Sequence, residues 1–176
     1  MPVVNDLSLA IHAKAGMVDP FIPSHLGPCS LDLTLSDHIF IESLDDNGGP
    51  WVEVDITDPY PLRPKQFCLA STHEVISIPE DMCGQIVLRS SAARAGLNHA
   101  LAGFLDSGFS GQVTLELTNQ LQLSSFKLHA GQRLVQLILH KLNAPAGSPY
   151  ALRGNYQHQR GVTPSNNNFA PIPNAC

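Results

Sequence analysis

Residues 88–119 concentrate the side chains of this chain that are best suited to chemistry. Arg89-Ser90-Ser91 follows an apolar run and precedes a short helix-forming segment that contains Arg94. We predict that Ser90 or Ser91 caps this helix, so that the free N–H groups of its first turn point outward with the positive end of the helix dipole behind them. Arg89 and Arg94 can add forked hydrogen bonds to phosphate oxygens. The segment therefore predicts a phosphate-binding turn, or else an ordinary capped turn with two surface arginines.

The same stretch contains two carboxylates, Asp106 and Glu116. Asp106 begins a turn-rich segment, whereas Glu116 lies in a predicted strand over 112–119 in which apolar and polar residues alternate. A glutamate in mid-strand either faces solvent on a half-exposed sheet or lines a pocket. If the segments on the two sides of the turn pair as a hairpin, both carboxylates can share one cleft. Paired carboxylates in a cleft are candidates for general acid–base catalysis.

The elements that must position these residues are predicted from hydrophobic periodicity and turn residues. A helix over 5–16 begins at a cap, Asn5 or Asp6, and ends at Gly16. Many short strands separated by Gly- and Pro-rich turns predict a mainly β fold, a barrel or a sandwich. The predicted strands cover 30–41, 51–56, 67–72, 74–78, 84–88, 112–119, 123–128 and 134–142, with a turn at 45–49.

Two of these strands carry a polar residue among apolar ones. Asp32 points away from its neighbours Leu31 and Leu33, and a solvent-facing strand carboxylate is a serious alternative to a functional role for it. Gln136 interrupts the apolar run over 134–142, a strand that should be central and buried. A buried glutamine needs hydrogen-bond partners.

Length and composition favour one compact domain, since 43% of the 176 residues are hydrophobic and only 14% are charged. We assign residues 1–165 to this domain and residues 166–176, rich in Asn and Pro, to a flexible tail. No apolar run is long enough to span a bilayer, and the N-terminus lacks the pattern of a secretion signal. A soluble, cytoplasmic protein is predicted.

Charge and cysteine content exclude several classes of protein. A net charge of −5 with few Lys and Arg argues against a nucleic-acid-coating surface, because phosphate-backbone binding needs a basic stripe. The cysteines are scattered, with no Cys-x-x-Cys and no nearby histidine at ligand spacing, so neither a disulfide framework nor a structural zinc is predicted. They are expected to be reduced thiols, at positions Cys29, Cys68, Cys83 and Cys176.

Several segments, taken together, resemble the dCTP deaminase branch of the dUTPase-like superfamily. The resemblance runs in collinear order over residues 6–165, and the combination is specific although no single segment is. In chain order, the segments are Pro28-Cys29-Ser30-Leu31-Asp32-Leu33, Arg89-Ser90-Ser91-x-x-Arg94, Ala102-Gly103-Phe104-Leu105-Asp106, Gly108-Phe109-x-Gly111, Thr114-Leu115-Glu116, Gly131-Gln132-Arg133-Leu134-Val135-Gln136-Leu137 and Asn155-Tyr156-Gln157-His158-Gln159-Arg160-Gly161.

This resemblance implies a distorted jelly-roll-like β-barrel with a few short helices, and an enzyme that deaminates dCTP to dUTP and ammonia in pyrimidine deoxynucleotide metabolism. Zinc nucleoside deaminases need His-x-Glu and Pro-Cys-x-x-Cys, and the chain has neither, so water must be activated without zinc. By resemblance, Glu116 is the general base and acid, and Ser90 and Arg94 position the water and set the state of Glu116.

The resemblance also implies how the substrate is held. It places the Asp32 segment near the active site, brings Mg²⁺ in with the triphosphate, and implies a homotrimer whose active sites are shared between subunits. His99 and the Ala102 carbonyl complete the base pocket, and Arg89, Ser91, Gln136, Tyr156 and Gln159 reach the triphosphate.

Three features depart from the pattern of this branch. The span from Arg94 to Asp106 is one residue shorter, which reshapes the loop through His99 at the base. Asn155 stands where the family has a lysine that contacts the triphosphate, and Cys29 replaces a serine. These differences bear on the choice of base and on phosphate binding more than on the chemistry at the carboxylates.

Two alternatives remain open at this stage. Asp106 lies in an Ala-Gly-x-x-Asp-Ser context typical of dUTPases and can activate water to cleave dUTP or another dNTP, either alone or in a bifunctional enzyme. Against a pure diphosphatase, the chain has Arg-Ser-Ser where dUTPases have Arg-Ser-Gly and lacks their closing motif. A non-catalytic trimeric nucleotide-sensing module is the other alternative, and the presence of both carboxylates with Ser90 and Arg94 argues against it.

Overall fold

A computed structural model describes residues 2–43, 50–100 and 103–166. The predicted turn at 45–49, Ala102, Cys176 and the predicted tail beyond residue 166 lie outside these residues. The described elements are α1 (Asp6–His12), a π-helical turn (Ala13–Met17), β1 (Val18–Asp19), a 3₁₀ turn (Pro23–His25), β2 (Leu31–Glu42), β3 (Trp51–Asp55), β4 (Tyr60–Leu62), β5 (Phe67–Ser77), β6 (Met82–Leu88), α2 (Ser90–Arg94), β7 (Leu97–His99), β8 (Phe104–Leu105), β9 (Ser110–Asn119), β10 (Phe126–Leu128), β11 (Arg133–Lys141) and a 3₁₀ turn (Tyr150–Leu152).

The N-terminal helix begins and ends where the sequence predicts. Asn5 is its cap, because the Asn5 side chain accepts a hydrogen bond of 3.1 Å from the Ser8 N–H. The helical path continues through the π-helical turn, in which Gly16 has φ of 95°. A left-handed conformation of this kind costs glycine little, so the chain can leave the helix there. Leu9 is fully buried and fixes the helix to the core.

Nine of the described strands form a curled antiparallel sheet in the order β7-β9-β5-β2-β11-β6-β8, with β1 added to β5 and β3 added to β2, and β4 and β10 pair in a separate two-stranded sheet. Strand β2 joins the two parts of this sheet, since its first half pairs with β11 and its second half with β3 and β5. Its pairing with β5 shifts register between Leu35 and Ile39, so it is a bent strand. The mainly β prediction is confirmed.

Strand β11 is central, as its apolar pattern predicts. It lies between β2 and β6, and the side chains of Leu134, Val135, Leu137 and Leu139 are at most 2% exposed. The side chains of Gln136, Ile138 and His140 on the other face are half-buried, so the predicted central position is confirmed and the predicted burial of both faces is not.

The two strands predicted over 67–72 and 74–78 are one strand, β5. Its pairing with β9 shifts register between Ser71 and Val75, so the three residues between them form an irregularity within the strand. Glu74 is 2% exposed, and its carboxylate accepts hydrogen bonds from Thr34 N (2.9 Å) and Thr34 Oγ1 (2.8 Å). These charge-assisted hydrogen bonds replace the water that the buried carboxylate would otherwise need, and they stabilise the irregularity in β5.

Candidate functional site

A cavity of about 640 Å³ opens along the half-buried face of β9, and both predicted carboxylates line it. Aromatic and aliphatic side chains form most of its wall, so it suits a flat ring that can stack on aromatic side chains. Its lining residues are Glu42, Trp51, Phe67, Leu69, Phe104, Leu105, Asp106, Phe109, Val113, Thr114, Glu116, Tyr150, Tyr156, Gln159, Thr163 and Ser165.

Glu116 reaches the cavity because of the alternation along β9. Val113, Leu115 and Leu117 are buried on one face, whereas Glu116 on the other face is half-buried, with 28% of its side chain exposed. The predicted alternation is therefore confirmed. The face that carries Glu116 is half-buried and borders the cavity, as the pocket interpretation of Glu116 requires.

Asp106 reaches the same cavity by a different route from the predicted hairpin. Strand β8 pairs with β6 and not with β9, so the hairpin prediction is wrong. Gly103 explains why, since its carbonyl accepts a 2.6 Å hydrogen bond from Ile86 N and a Cβ at position 103 would overlap the Ile86 carbonyl. The chain is thereby held against β6 up to Asp106, and a tight turn containing Gly108, at φ of 79°, leads it to β9.

His99 lies against Glu116, on the strand next to it. Strand β7 pairs with β9, and the distance from His99 Nε2 to Glu116 Oε2 is 3.5 Å. That distance exceeds a good hydrogen bond, and both atoms are buried with no hydrogen-bond partner within the described part of the chain. Buried polar atoms rarely stay unpartnered, so a water or a substrate atom at this position would satisfy them.

A second cluster lies at the start of α2, around Asp32. Arg89 Nε is 3.1 Å from Asp32 Oδ2, Arg133 Nη1 is 3.4 Å from the same oxygen, and Gln136 Nε2 donates to Asp32 Oδ1 at 3.2 Å. Only 11% of the Asp32 side chain is exposed, so its interpretation as a solvent-facing carboxylate is wrong. Asp32 is covered because it pairs with Gln136 across β2 and β11 and Arg89 packs over both.

The predicted N-cap of α2 is wrong. The helix begins at Ser90, and the residue before it, Arg89, is the N-cap and has no side-chain capping hydrogen bond. The Arg89 carbonyl accepts hydrogen bonds from Ala92 N and Ala93 N, which places Ser90 and Ser91 inside the first turn. Both serines and Arg94 are exposed, and none of these residues lines the cavity of its own chain.

The structure thus divides the predicted site residues into groups. Glu116, Asp106, Tyr156 and Gln159 line the cavity, and His99 stands behind Glu116. Arg89 and Gln136 belong to the Asp32 cluster, and Ser90, Ser91 and Arg94 lie on the exposed face of α2. Ala102 lies outside the described residues.

Gln112 is a residue that the sequence did not single out, and it holds the C-terminal segment against β9. Its Nε2 donates to the carbonyls of Thr72 (2.9 Å) and His73 (3.1 Å), and its Oε1 accepts from Gly161 N (2.6 Å). Its backbone N–H donates to the Gln159 carbonyl (3.1 Å), and its carbonyl accepts from Gln159 Nε2 (2.6 Å). Gln112 therefore joins the irregularity in β5 to the segment that forms one wall of the cavity.

Replacing Gln112 by glutamate is expected to release this segment. A carboxylate cannot donate to the carbonyls of Thr72 and His73 and is repelled by both, so docking should weaken by about tenfold or more. Trypsin should then cleave faster after the exposed Arg160. Gln85→Glu, on an exposed position of β6, is the matched control. Equal proteolysis of both variants would contradict the docking role.

The described residues were also compared with the requirements of a metal site, a disulfide and a membrane-spanning helix. Over residues 2–43, 50–100 and 103–166, no group of three His, Cys, Asp or Glu side chains is placed to hold a metal ion. The cysteines within these ranges are free, and burial raises the pKa of the Cys68 thiol to about 12. None of the helices in the described part of the chain combines the length and apolar character needed to cross a membrane.

Comparisons with known proteins give one consistent result. The model of the dCTP deaminase-like family matches residues 4–142. A protein of Salinispora arenicola named dCTP deaminase, dUMP-forming, is 40% identical over 180 residues, which cover 93% of each chain. A protein of the same name from Thermobifida fusca is 38% identical over 175 residues, covering 91% of this chain and 89% of its own.

One solved structure supports the fold independently of sequence identity. The 2'-deoxycytidine 5'-triphosphate deaminase of Agrobacterium tumefaciens superposes with a TM-score of 0.68 at 18% identity, covering 79% of this chain and 47% of that longer one. At this identity the likeness concerns the fold alone, and it agrees with the predicted fold class.

Proposed function

The chain belongs to the dCTP deaminase-like family, and we propose that it converts dCTP to dUMP, ammonia and pyrophosphate within one site. The predicted family and the predicted class of enzyme, a dCTP deaminase, are confirmed. The observation that carries the proposal is one cavity with two carboxylates in different surroundings, Glu116 half-buried beside His99 and Asp106 exposed at its edge. The name of the relatives, dUMP-forming, supports dUMP as the product in place of the predicted dUTP, and favours the bifunctional alternative.

The first step is deamination at Glu116. Its carboxylate removes a proton from water, the resulting hydroxide attacks C4 of the cytosine, and the proton is delivered to N3. Glu116 then takes the proton of the new C4 hydroxyl and passes it to the amino group, the C4–N bond breaks as the C4 carbonyl forms, and dCTP plus water has become dUTP plus ammonia. His99, whose Nε2 is 3.5 Å from Glu116 Oε2, positions this carboxylate.

The second step is cleavage between the α- and β-phosphates at Asp106. Its carboxylate activates a second water, which attacks the α-phosphorus while pyrophosphate leaves, so that dUTP plus water gives dUMP plus pyrophosphate. Mg²⁺ arrives bound to the triphosphate, where it neutralises phosphate charge. The exposed position of Asp106 at the edge of the cavity suits contact with this end of the substrate.

The residues of α2 complete the site from a neighbouring subunit of a homotrimer. Within one chain, Ser90, Ser91 and Arg94 are exposed and lie outside the cavity. In the proposed assembly, Ser90 and Arg94 of the neighbour position the water at Glu116. Arg89 is held at Nε by Asp32 and donates from Nη1 to the Arg133 carbonyl at 3.5 Å, so its Nη2 is left to bind phosphate oxygens. We place this reaction in the cytoplasm, where deoxynucleotides are made.

Mixing two inactive variants tests the shared site. Arg94→Ala and Glu116→Gln should each be inactive alone. Co-assembly in equal amounts should restore ammonia release at roughly a quarter of the sites, since each site of a cyclic trimer takes one residue from each of two subunits. As a control, two preparations of Glu116→Gln that carry different affinity tags are mixed in the same way. They should form mixed trimers without recovering ammonia release. If the mixed trimers release no ammonia, Arg94 and Glu116 of one chain act in the same site, and the shared site is contradicted.

The proposed reaction is tested by incubating the purified protein with Mg²⁺ and, separately, dCTP, dUTP and dCMP. Nucleotides are resolved by chromatography, and ammonia and pyrophosphate are measured in parallel. We expect dUMP, ammonia and pyrophosphate from dCTP in equal amounts. Ammonia without pyrophosphate would instead identify a dUTP-forming deaminase, pyrophosphate without ammonia a diphosphatase, and no turnover a nucleotide-sensing module.

A further inference from the structure

A second cavity, of about 400 Å³, adjoins the first. Asp106, Tyr150 and Tyr156 line both cavities, so both border the carboxylate assigned to phosphate cleavage. The remaining lining residues of the second cavity are Ser107, Ala146, Ser148, Arg153, Gly154 and Asn155.

The two cavities differ in charge. Glu42, Asp106 and Glu116 line the first, and its described lining residues include no Lys or Arg. A triphosphate placed among these carboxylates would be repelled, so the first cavity suits the base and not the phosphates. In the second cavity, Arg153 is the one Lys or Arg among the described lining residues, opposite a single carboxylate.

Arg153 is held in place by its surroundings. Its Nε donates to Ser148 Oγ at 2.6 Å, which leaves the two terminal nitrogens of the guanidinium as a fork of donors. Its backbone N–H donates to the Tyr150 carbonyl at 3.1 Å, and Tyr150 N donates to the Ser107 carbonyl at 2.8 Å. These bonds tie the position of Arg153 to the turn that begins at Asp106.

Gly154 explains how the chain stays close to this turn. A Cβ at position 154 would overlap the ring of Tyr150, so only glycine lets the backbone pass directly against the ring. Tyr150 in turn packs edge-on against Phe109, with ring centroids 5.6 Å apart. The surface segment that carries Arg153 is thus anchored to the packed structure through Tyr150.

We propose that Arg153 binds phosphate oxygens of the nucleoside triphosphate in the second cavity, so that the α-phosphate lies beside Asp106 and the base in the first cavity. The identity of this ligand rests on the proposed function. Arg153 acts within its own chain, in addition to the arginines of α2. Asn155, two residues further on, is neutral and can add a hydrogen bond but no charge.

Arg153→Gln tests this site by equilibrium binding, with Arg160→Gln as the matched control. Arg160 lies in the same segment, is exposed and lines neither cavity. Titration calorimetry with dCTP and with inorganic tripolyphosphate should show affinity about tenfold lower for Arg153→Gln than for the control, because a charge-assisted contact is lost. Deoxycytidine, which has no phosphate, should bind both variants equally. Arg153→Lys should restore part of the affinity, since it keeps the charge but loses the fork.

The outcomes separate this site from the proposed function. If the wild-type protein turns over dCTP and Arg153→Gln binds tripolyphosphate as tightly as Arg160→Gln, the Arg153 site is overturned and the function stands. If the wild-type protein binds tripolyphosphate through Arg153 but releases neither ammonia nor pyrophosphate from dCTP, the function is overturned and the site stands. Equal weakening of deoxycytidine binding in Arg153→Gln would also overturn the site, because the effect would then be structural.

Discussion

Glu116→Gln is expected to lower kcat for ammonia release from dCTP by roughly 10³- to 10⁴-fold, near the upper end of what general acid–base catalysis contributes. The glutamine side chain fills the same volume beside His99 but cannot accept a proton from water. Binding of dCTP should change little, since the apolar wall of the cavity and the phosphate contacts remain. The measurement is single-turnover ammonia release together with calorimetric binding of dCTP.

Glu42→Gln is the matched control, because Glu42 is a second glutamate that lines the same cavity. It lies at the end of β2, away from the His99–Glu116 pair, and should keep ammonia release within a few-fold of wild type. If both variants lose activity equally, the cavity needs only negative charge, and Glu116 is not the base. If Glu116→Gln still releases ammonia at the wild-type rate, the assignment of the base is wrong.

What the sequence predicted well depends on patterns local to one element. The cap at Asn5, the alternation around Glu116 and the buried face of β11 can each be predicted within about ten residues, because side-chain direction repeats with the period of the element. The family was predicted from several such segments in order. None of these inferences needed to know which strands are neighbours.

Apart from local errors such as the N-cap of α2, the wrong predictions concern contacts between distant segments. Asp32 looked solvent-facing because nothing in its own strand shows that Arg89 and Gln136 cover it. The hairpin failed because Gly103 allows close approach to β6, a feature of packing and not of local sequence.

Gln112 was missed for the same reason. On the sequence it is one more polar residue on an alternating strand, yet its side chain contacts residues about 40 positions before it and 49 after it. Hydrogen bonds between residues so far apart in sequence depend on which strands are neighbours in the sheet. The repeat of polar and apolar residues along one strand does not contain that information. The roles assigned to individual site residues, unlike the fold, stay predictions until variants are measured.

Asp106→Asn is expected to separate the two proposed steps. Asparagine cannot remove a proton from the second water, so pyrophosphate release should fall by roughly 10²- to 10⁴-fold, whereas Glu116 still deaminates the base. The product of dCTP should therefore change from dUMP to dUTP, with ammonia released at a rate within a few-fold of wild type. Chromatography of the nucleotides, with ammonia and pyrophosphate measured on the same samples, shows this directly.

The matched control for this variant is Asp81→Asn, a half-buried aspartate just before β6 that lines neither cavity. It should leave dUMP as the product. Loss of ammonia and pyrophosphate together in Asp106→Asn would mean that Asp106 is needed to bind substrate and not to activate the second water. Retention of both would move the second step to another carboxylate, and Glu116 would then have to serve both reactions from one position. That outcome is disfavoured by the geometry, because Glu116 faces the base cavity beside buried His99, whereas Asp106 alone among the carboxylates of the described lining residues borders both cavities.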